Sequence, residues 1–252
     1  MWFTLVAASL LVASTRAKPL RIAVVGDAGE GTESQRRAFA AVDAAAPDVV
    51  LSTGDNFYEE GLPAPNAEAE ALIWGALRTR PLWGVPGNHD HRGDPTAPSF
   101  VPARSYERWL APDVQLLAID TTPMLSSSGL EQQWEWIESR LRLPKPRWRI
   151  VLGHHPVRSA TKHCDEQRES KARLDRLLVD ADLYISGHTH CFETCDGGRH
   201  ITVGSTARLN SVRTVCSVAQ TGCTAVHERG WAMITIGNGT HAVKWHSVEA
   251  VK

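Results

Sequence analysis

Little in this 252-residue chain is out of balance, and what it lacks narrows the possibilities first. Its 27 lysines and arginines nearly cancel 28 aspartates and glutamates, and no basic run stands out. A nucleic-acid surface needs clustered positive charge, so that class is set aside. The five cysteines include no Cys-x-x-Cys pair, which argues against a zinc site made of thiolates. No internal repeat, low-complexity tract or linker divides the chain, so a single domain is the simplest organisation.

Long apolar runs are scarce too. One block, Met1 to Ala13, opens the chain and is too short to span a bilayer comfortably. With Ser14-Thr15-Arg16-Ala17-Lys18 behind it, it reads as a secretory signal peptide cleaved near Ala17, although no Lys or Arg precedes the block; an uncleaved anchor is the alternative. The expected division is therefore 1–17 signal peptide and 18–252 one domain, with no stable membrane anchor. Export would place the cysteines in an oxidising compartment, where the short spacings suggest two local bridges, Cys191 to Cys195 and Cys216 to Cys223, with Cys164 or another thiol unpaired.

What the chain does have is an alternation of short apolar runs and helical patterns, the signature of an α/β domain. Ile22–Val25, Val49–Leu51, Leu82–Val85, Leu116–Ile119, Ile150–Leu152 and Leu183–Ile185 read as strands. Thr32 and Gln35 form a capping box for a helix to about Ala45. A second helix over Ala67–Arg78 should turn Leu72, Ile73, Leu77 and Trp74 inward. A third shows Leu130, Trp134, Ile137 and Leu141 at helical spacing, and a fourth carries Leu174, Leu177 and Leu178. The tail, with Ile201–Val203, Met233–Ile236 and Val243–Trp245, reads as further strands.

Five of the strands stop at a glycine and hand over to a polar residue. They present Asp27, then Asp55 and Tyr58, then Asn88, then His154, then His188 and His190. In open α/β sheets ligands bind at the carboxyl ends of strands, and carboxylate, phenol, amide and imidazole groups are all metal donors. One such loop is ordinarily a turn, and five in one chain are hard to explain that way. Asp120, after the fourth strand, is read as a turn cap.

These motifs, Gly26-Asp27-Ala28-Gly29, Gly54-Asp55-Asn56-Phe57-Tyr58, Gly87-Asn88-His89-Asp90, Gly153-His154 and Gly187-His188-Thr189-His190, stand in an order that resembles the calcineurin-like metallophosphoesterases. Within them the likeness is to the purple acid phosphatases, nearest the small tartrate-resistant type, and it runs from about Ile22 to Glu193. It implies a four-layer α/β/β/α sandwich with a metal site at the carboxyl ends of the strands. It implies that Asp27, Tyr58 and His190 hold one metal, that Asn88, His154 and His188 hold the other, and that Asp55 bridges them. Other metallophosphoesterases usually have a His where this chain has Gly29, and they lack the Tyr. A phenolate favours a hard trivalent ion, so Fe(III) is expected in the first site and a divalent Fe, Zn or Mn in the second.

The resemblance further implies a secreted acid phosphatase that hydrolyses phosphate monoesters with a metal-bound hydroxide as nucleophile. Asn88, His89, His163 and His91 would meet the substrate, with His89 and His163 the catalytic proton donors and His91 at the pocket mouth. A phosphodiesterase or nucleotide-cleaving enzyme is the alternative, and a non-catalytic phosphate or metal binder a weaker one. The expected setting is extracellular, periplasmic or lysosome-like, and the expected state a monomer. The short stretch from Thr121 to Gly129 suggests an open site that needs no proteolytic activation.

Overall fold

A computed structural model of the chain describes residues 18–126, 131–161, 163, 166–210, 222–237 and 239–249. The expected signal segment, Cys164, Cys216 and the end of the 121–129 stretch lie outside them. Among the described residues the strands are β1 Leu20–Val25, β2 Val49–Ser52, β3 Leu82–Gly84, β4 Ser105–Ala111, β5 Val114–Ile119, β6 Trp148–Leu152, β7 Leu183–Ser186, β8 Phe192–Cys195, β9 His200–Val203, β10 Thr224–Val226, β11 Gly230–Gly237 and β12 Thr240–Ser247. They form a five-stranded sheet, β12-β11-β1-β2-β3, and a seven-stranded sheet, β10-β8-β9-β7-β6-β5-β4. The strands that precede the polar loops run parallel within each sheet.

Strand side chains alternate between faces, and here both faces are apolar, which is why the strands read as unbroken hydrophobic runs. Ile22, Val24 and Leu51 of the first sheet pack between the sheets against Leu116, Ile150, Leu152 and Ile185 of the second. Their neighbours Ala23, Val25 and Val50 face outward onto Phe39 and Val42 of helix α1 (Glu33–Ala44) and onto Trp74, at the end of α2 (Ala67–Trp74). After α3 (Thr121–Leu125), α4 (Glu131–Leu141) and α5 (Arg168–Leu177) cover the other sheet, with Trp134, Ile137, Leu141 and Leu174 against Leu117, Ile119 and Val151. The result is the expected four-layer sandwich.

Three local expectations change. Leu72 is 82% exposed, because α2 turns Glu70 and Trp74 inward and Leu72 lies on the opposite side of the turn. Thr32 does cap α1, accepting from the Gln35 amide at 3.3 Å, but the Gln35 side chain turns away and donates to the Ile73 carbonyl at 3.0 Å instead of closing the box. The local bridges Cys191–Cys195 and Cys216–Cys223 give way to a Cys195–Cys223 disulfide that closes across the β8–β10 pair. Antiparallel pairing brings those two residues together across 28 positions, while Cys191 remains a buried thiol.

His200 on β9 illustrates a cost of this core. Burial pushes its pKa down to about 4, and Asp175, 3.7 Å away, offsets that only in part. The folded value lies below the unfolded one of about 6.5, so the unfolded chain takes the proton more readily; stability is whole above the unfolded value and is lost as pH falls toward 4. Between pH 7.5 and 5 the loss is about 2 kcal/mol. His200→Gln should therefore melt with a flatter pH dependence than the parent over that range, and parallel slopes would show that His200 does not carry the effect.

Candidate metal centre

Because β1, β2 and β3 are parallel in one sheet and β6 and β7 in the other, their carboxyl ends open on one edge of the sandwich. Backbone bonds tie the loops there. The Asp27 amide donates to the Gly54 carbonyl at 3.1 Å, Gly29 to Asp55 at 3.2 Å, and Gly187 to His154 at 2.8 Å. The glycines make room for the approach. A Cβ on Gly87 would lie 2.1 Å from an Asp55 carboxylate oxygen, and one on Gly187 would lie 2.6 Å from an Asp27 oxygen.

Asp90 anchors the third loop. Fully buried, it accepts from the amides of Asn56, Phe57 and Gly87 and from the Asn56 side chain, all at 2.8–3.1 Å. Burial and the charge of Asp55 push its pKa up to about 7, while those donors pull the other way. The motif contains Asp90, but its part as a staple is visible only from these contacts.

Asp27, Asp55, Tyr58 and His190 converge on one point. The Tyr58 hydroxyl donates to Asp55 Oδ2 at 2.7 Å and lies 3.2 Å from Asp27 Oδ1, which is 3.4 Å from His190 Nε2. Asp55 reaches the second group as well, with Oδ1 at 3.6 Å from His154 Nε2. There, His154 Nε2 stands 3.1 Å from Asn88 Oδ1 and 3.2 Å from His188 Nδ1. His154 Nδ1 is 2.8 Å from the Thr53 carbonyl, which can only accept, so Nδ1 carries the hydrogen and Nε2 keeps its lone pair toward the cluster.

Five of the eight described non-glycine residues with positive φ belong to this region: Asp27, Asp55, His163, His188 and His190. Left-handed backbone costs about 1–2 kcal/mol per residue, and such strain gathers where a side chain must be aimed.

The donor set fits two cations. Lone pairs on carboxylate, amide and imidazole groups face one another at 3.1–3.6 Å with too few hydrogens between them. Burial opposes a charge on His154, yet the Asp55 and Asp27 carboxylates outweigh it and raise its pKa. A cluster that draws a proton onto a fully buried imidazole would be neutralised better by a metal. Burial, followed by the neighbouring imidazoles, holds His188 well below the usual imidazole value, neutral and able to donate its lone pair. Burial and the two carboxylates raise the Tyr58 phenol well above its usual value, the direction a bound cation would reverse.

The remaining histidines of the motifs flank this cluster. His89 meets the Tyr58 ring edge-on at 4.5 Å and places Nδ1 2.8 Å from the Glu59 carbonyl. His163 packs at 4.5 Å on His188, with Nδ1 2.5 Å from Glu166. The two proton-donor candidates thus sit at opposite ends. His155 is buried, with Nδ1 2.8 Å from the Thr121 hydroxyl. His91 pairs with Asp120, which also caps α3 through the Thr122 amide at 3.2 Å, so Asp120 does more than end a turn. Arg208, which no motif signalled, stacks 3.7 Å over Tyr58 and pairs with Glu30 and Glu59.

Residues 20–192 match the calcineurin-like phosphoesterase family. Purple acid phosphatase 17 of Arabidopsis thaliana is 34% identical over 180 residues, covering 58% of this chain and 53% of that protein. Tartrate-resistant acid phosphatase type 5 of Rattus norvegicus is 26% identical over 181 residues, covering 57% and 55%. Among solved structures, GAP50, the anchor in the inner membrane complex of Plasmodium, superposes with a TM-score of 0.77 at 22% identity over 93% of this chain and 86% of that one. The chain spans about half the length of the curated relatives it matches.

Proposed function

Since the chain belongs to the calcineurin-like phosphoesterase family, we propose that it is a metal-dependent acid phosphatase acting on phosphate monoesters. The observation that carries this is the meeting of Asp27, Asp55, Tyr58, Asn88, His154, His188 and His190, from five strand ends, in two adjoining donor sets joined by Asp55. Asp27, Tyr58 and His190 would hold Fe(III), and Asn88, His154 and His188 a divalent Fe, Zn or Mn. Two such cations supply a clamp for the phosphate, offset the charge building on its oxygens and acidify bound water.

The protein's own part is to hold these donors rigid and to manage protons. The His154 tautomer is set by Thr53, and the Asn88 loop by Asp90. His89 and His163, each with one nitrogen engaged by an acceptor, present their other edges for substrate and leaving group. We assign residues 18–252 to one such domain behind an export signal, acting outside the cytoplasm as a monomer with an open site. Among the described residues, no helix is long and apolar enough to cross a membrane.

The test is the rate of cleavage of an aryl phosphomonoester against the matching diester from pH 4 to 8 on metal-replete protein. Faster monoester cleavage with an acid optimum is expected. A diester preference near neutrality would reassign the chain to the phosphodiesterases, and no turnover of either would leave a binding protein.

A further inference from the structure

A residue other than glycine in the left-handed region needs something to hold it there, and His163, with φ 68°, is such a residue. Asp27 and His188, strained alike, sit directly at strand ends. His163 lies well past the end of β6, so its conformation depends on contacts brought from elsewhere. Resting on the reading above of His163 as a group that meets the substrate, we propose that Lys171 is its positioning residue, a buried ammonium on α5 that grips the His163 backbone and so keeps the imidazole against His188.

Lys171 is 5% exposed, and its Nζ donates to the His163 carbonyl at 2.7 Å. The same carbonyl accepts from the Glu166 amide at 3.3 Å, and of the two donors the charged one makes the stronger bond. The ring is held less firmly. It packs on His188 at 4.5 Å, and Glu166, the partner of Nδ1, is 52% exposed, where water competes for the pair. Lys171 thus supplies a buried, charged contact where the ring has only an exposed one.

Packing alone does not call for a lysine at this position. Lys171 and Leu174 are the buried residues of α5, and an apolar side chain would serve that face without taking an ammonium out of water. The stretch before His163 has a separate anchor. Glu193 on β8, 0% exposed, accepts from the Ser159 hydroxyl at 2.7 Å and from the Ala160 amide at 2.9 Å. The segment is therefore tied to β8 at one end and to α5 at the other. Loss of Lys171 should release the His163 end and leave the rest attached.

Lys171→Met tests this, because it keeps the length of the side chain and removes the donor. In the metal-loaded protein, monoester kcat/KM should fall about tenfold, the scale of a misplaced group that still reaches its target. Metal content should stay at the parental level, because the grip is on His163 and not on the metal donors. His163→Ala should lower kcat/KM about a hundredfold. The two changes combined should lose no more than His163→Ala alone, since nothing is left to position; independent effects would multiply to about a thousandfold.

A second measurement needs no turnover. Modification of His163 by diethyl pyrocarbonate, followed by mass spectrometry of its peptide with His241 as internal reference, should run severalfold faster in Lys171→Met as the ring leaves His188. Full activity in Lys171→Met, multiplied losses in the double variant, or an unchanged rate of His163 modification would each overturn the proposal. If the parent cleaved no phosphomonoester, the phosphatase reading would have failed, and the modification rate would still decide whether Lys171 holds His163. Thermal melts show whether each variant is folded. Should Lys171→Met not fold, Lys171→Gln, which keeps an N–H but not the charge, takes its place in both measurements, with changes of the same sign expected.

Discussion

Asp55→Asn should abolish phosphatase activity and, in the metal-free protein, raise the melting temperature. Asp55 reaches both donor sets, accepting from Tyr58 at 2.7 Å and lying 3.6 Å from His154. An amide of the same shape keeps the acceptor used by the His89 backbone N–H at 2.9 Å but removes the charge that would bridge two cations. Several kcal/mol of charge stabilisation rest on that bridge; at 1.36 kcal/mol per tenfold, a loss of about a thousandfold in kcat/KM is the expected scale. Metal content should drop with it.

Without metal the sign reverses. Asp55 repels its buried neighbour Asp90, whose pKa it helps to raise, and with Asp27 it raises that of Tyr58. Removing one of these like charges should stabilise the metal-free fold by about 1 kcal/mol, the equivalent of roughly one pKa unit, at alkaline pH, where Asp90 is ionised and His154 is neutral so that its attraction to Asp55 is not lost. Melts in chelator and metal analysis of the loaded protein test both halves. Full metal content with near-parental activity, or a less stable metal-free variant, would remove Asp55 from the bridging position.

Tyr58→Phe isolates the identity of the first metal. The ring is held independently of its hydroxyl, by the Arg208 guanidinium 3.7 Å above its face and the His89 ring 4.5 Å from it. Phenylalanine should therefore occupy the same place and lose only the oxygen. With Fe(III) bound, the parent should show a broad visible phenolate-to-iron absorption that the variant lacks entirely. A parent without that band, and a variant indistinguishable from it, would rule out Fe(III) as the native first metal. Iron content measured alongside separates loss of the ligand from loss of the ion.

Much of this was legible in the chain because its signals are local. A short run with both faces apolar, closed by a glycine and a polar side chain, states a buried strand and what it delivers at its end. Spacing in α4 likewise marked Trp134, Ile137 and Leu141 as one buried face. Where two neighbours competed, local signals failed. Leu72 looked like core, but α2 rotates to bury Trp74, which packs on Phe39 and Phe100, and Glu70, which binds Ser99. Gln35 had a capping role in view and took a carbonyl from another helix. The cysteines closest in sequence were not those closest in space, since strand pairing carried Cys195 to Cys223.

Asp120 and Arg208 make the same point at the site itself. Each is an ordinary residue in its own segment, and each gains a role only from a partner far along the chain, His91 for one and Tyr58 for the other.

The sequence by itself determined which chemical groups stand at the strand ends, for the groups and the breaks that expose them are written within a few residues of each other. Only the tertiary structure decided which ends meet. The order β3-β2-β1 in one sheet and β5-β6-β7 in the other, with the two packed face to face, brings the His188 amide to Asp27 across 161 residues. Donor distances near 3 Å depend on sheet order, register and layer packing, which are sums over the whole core and have no address in any one stretch of chain.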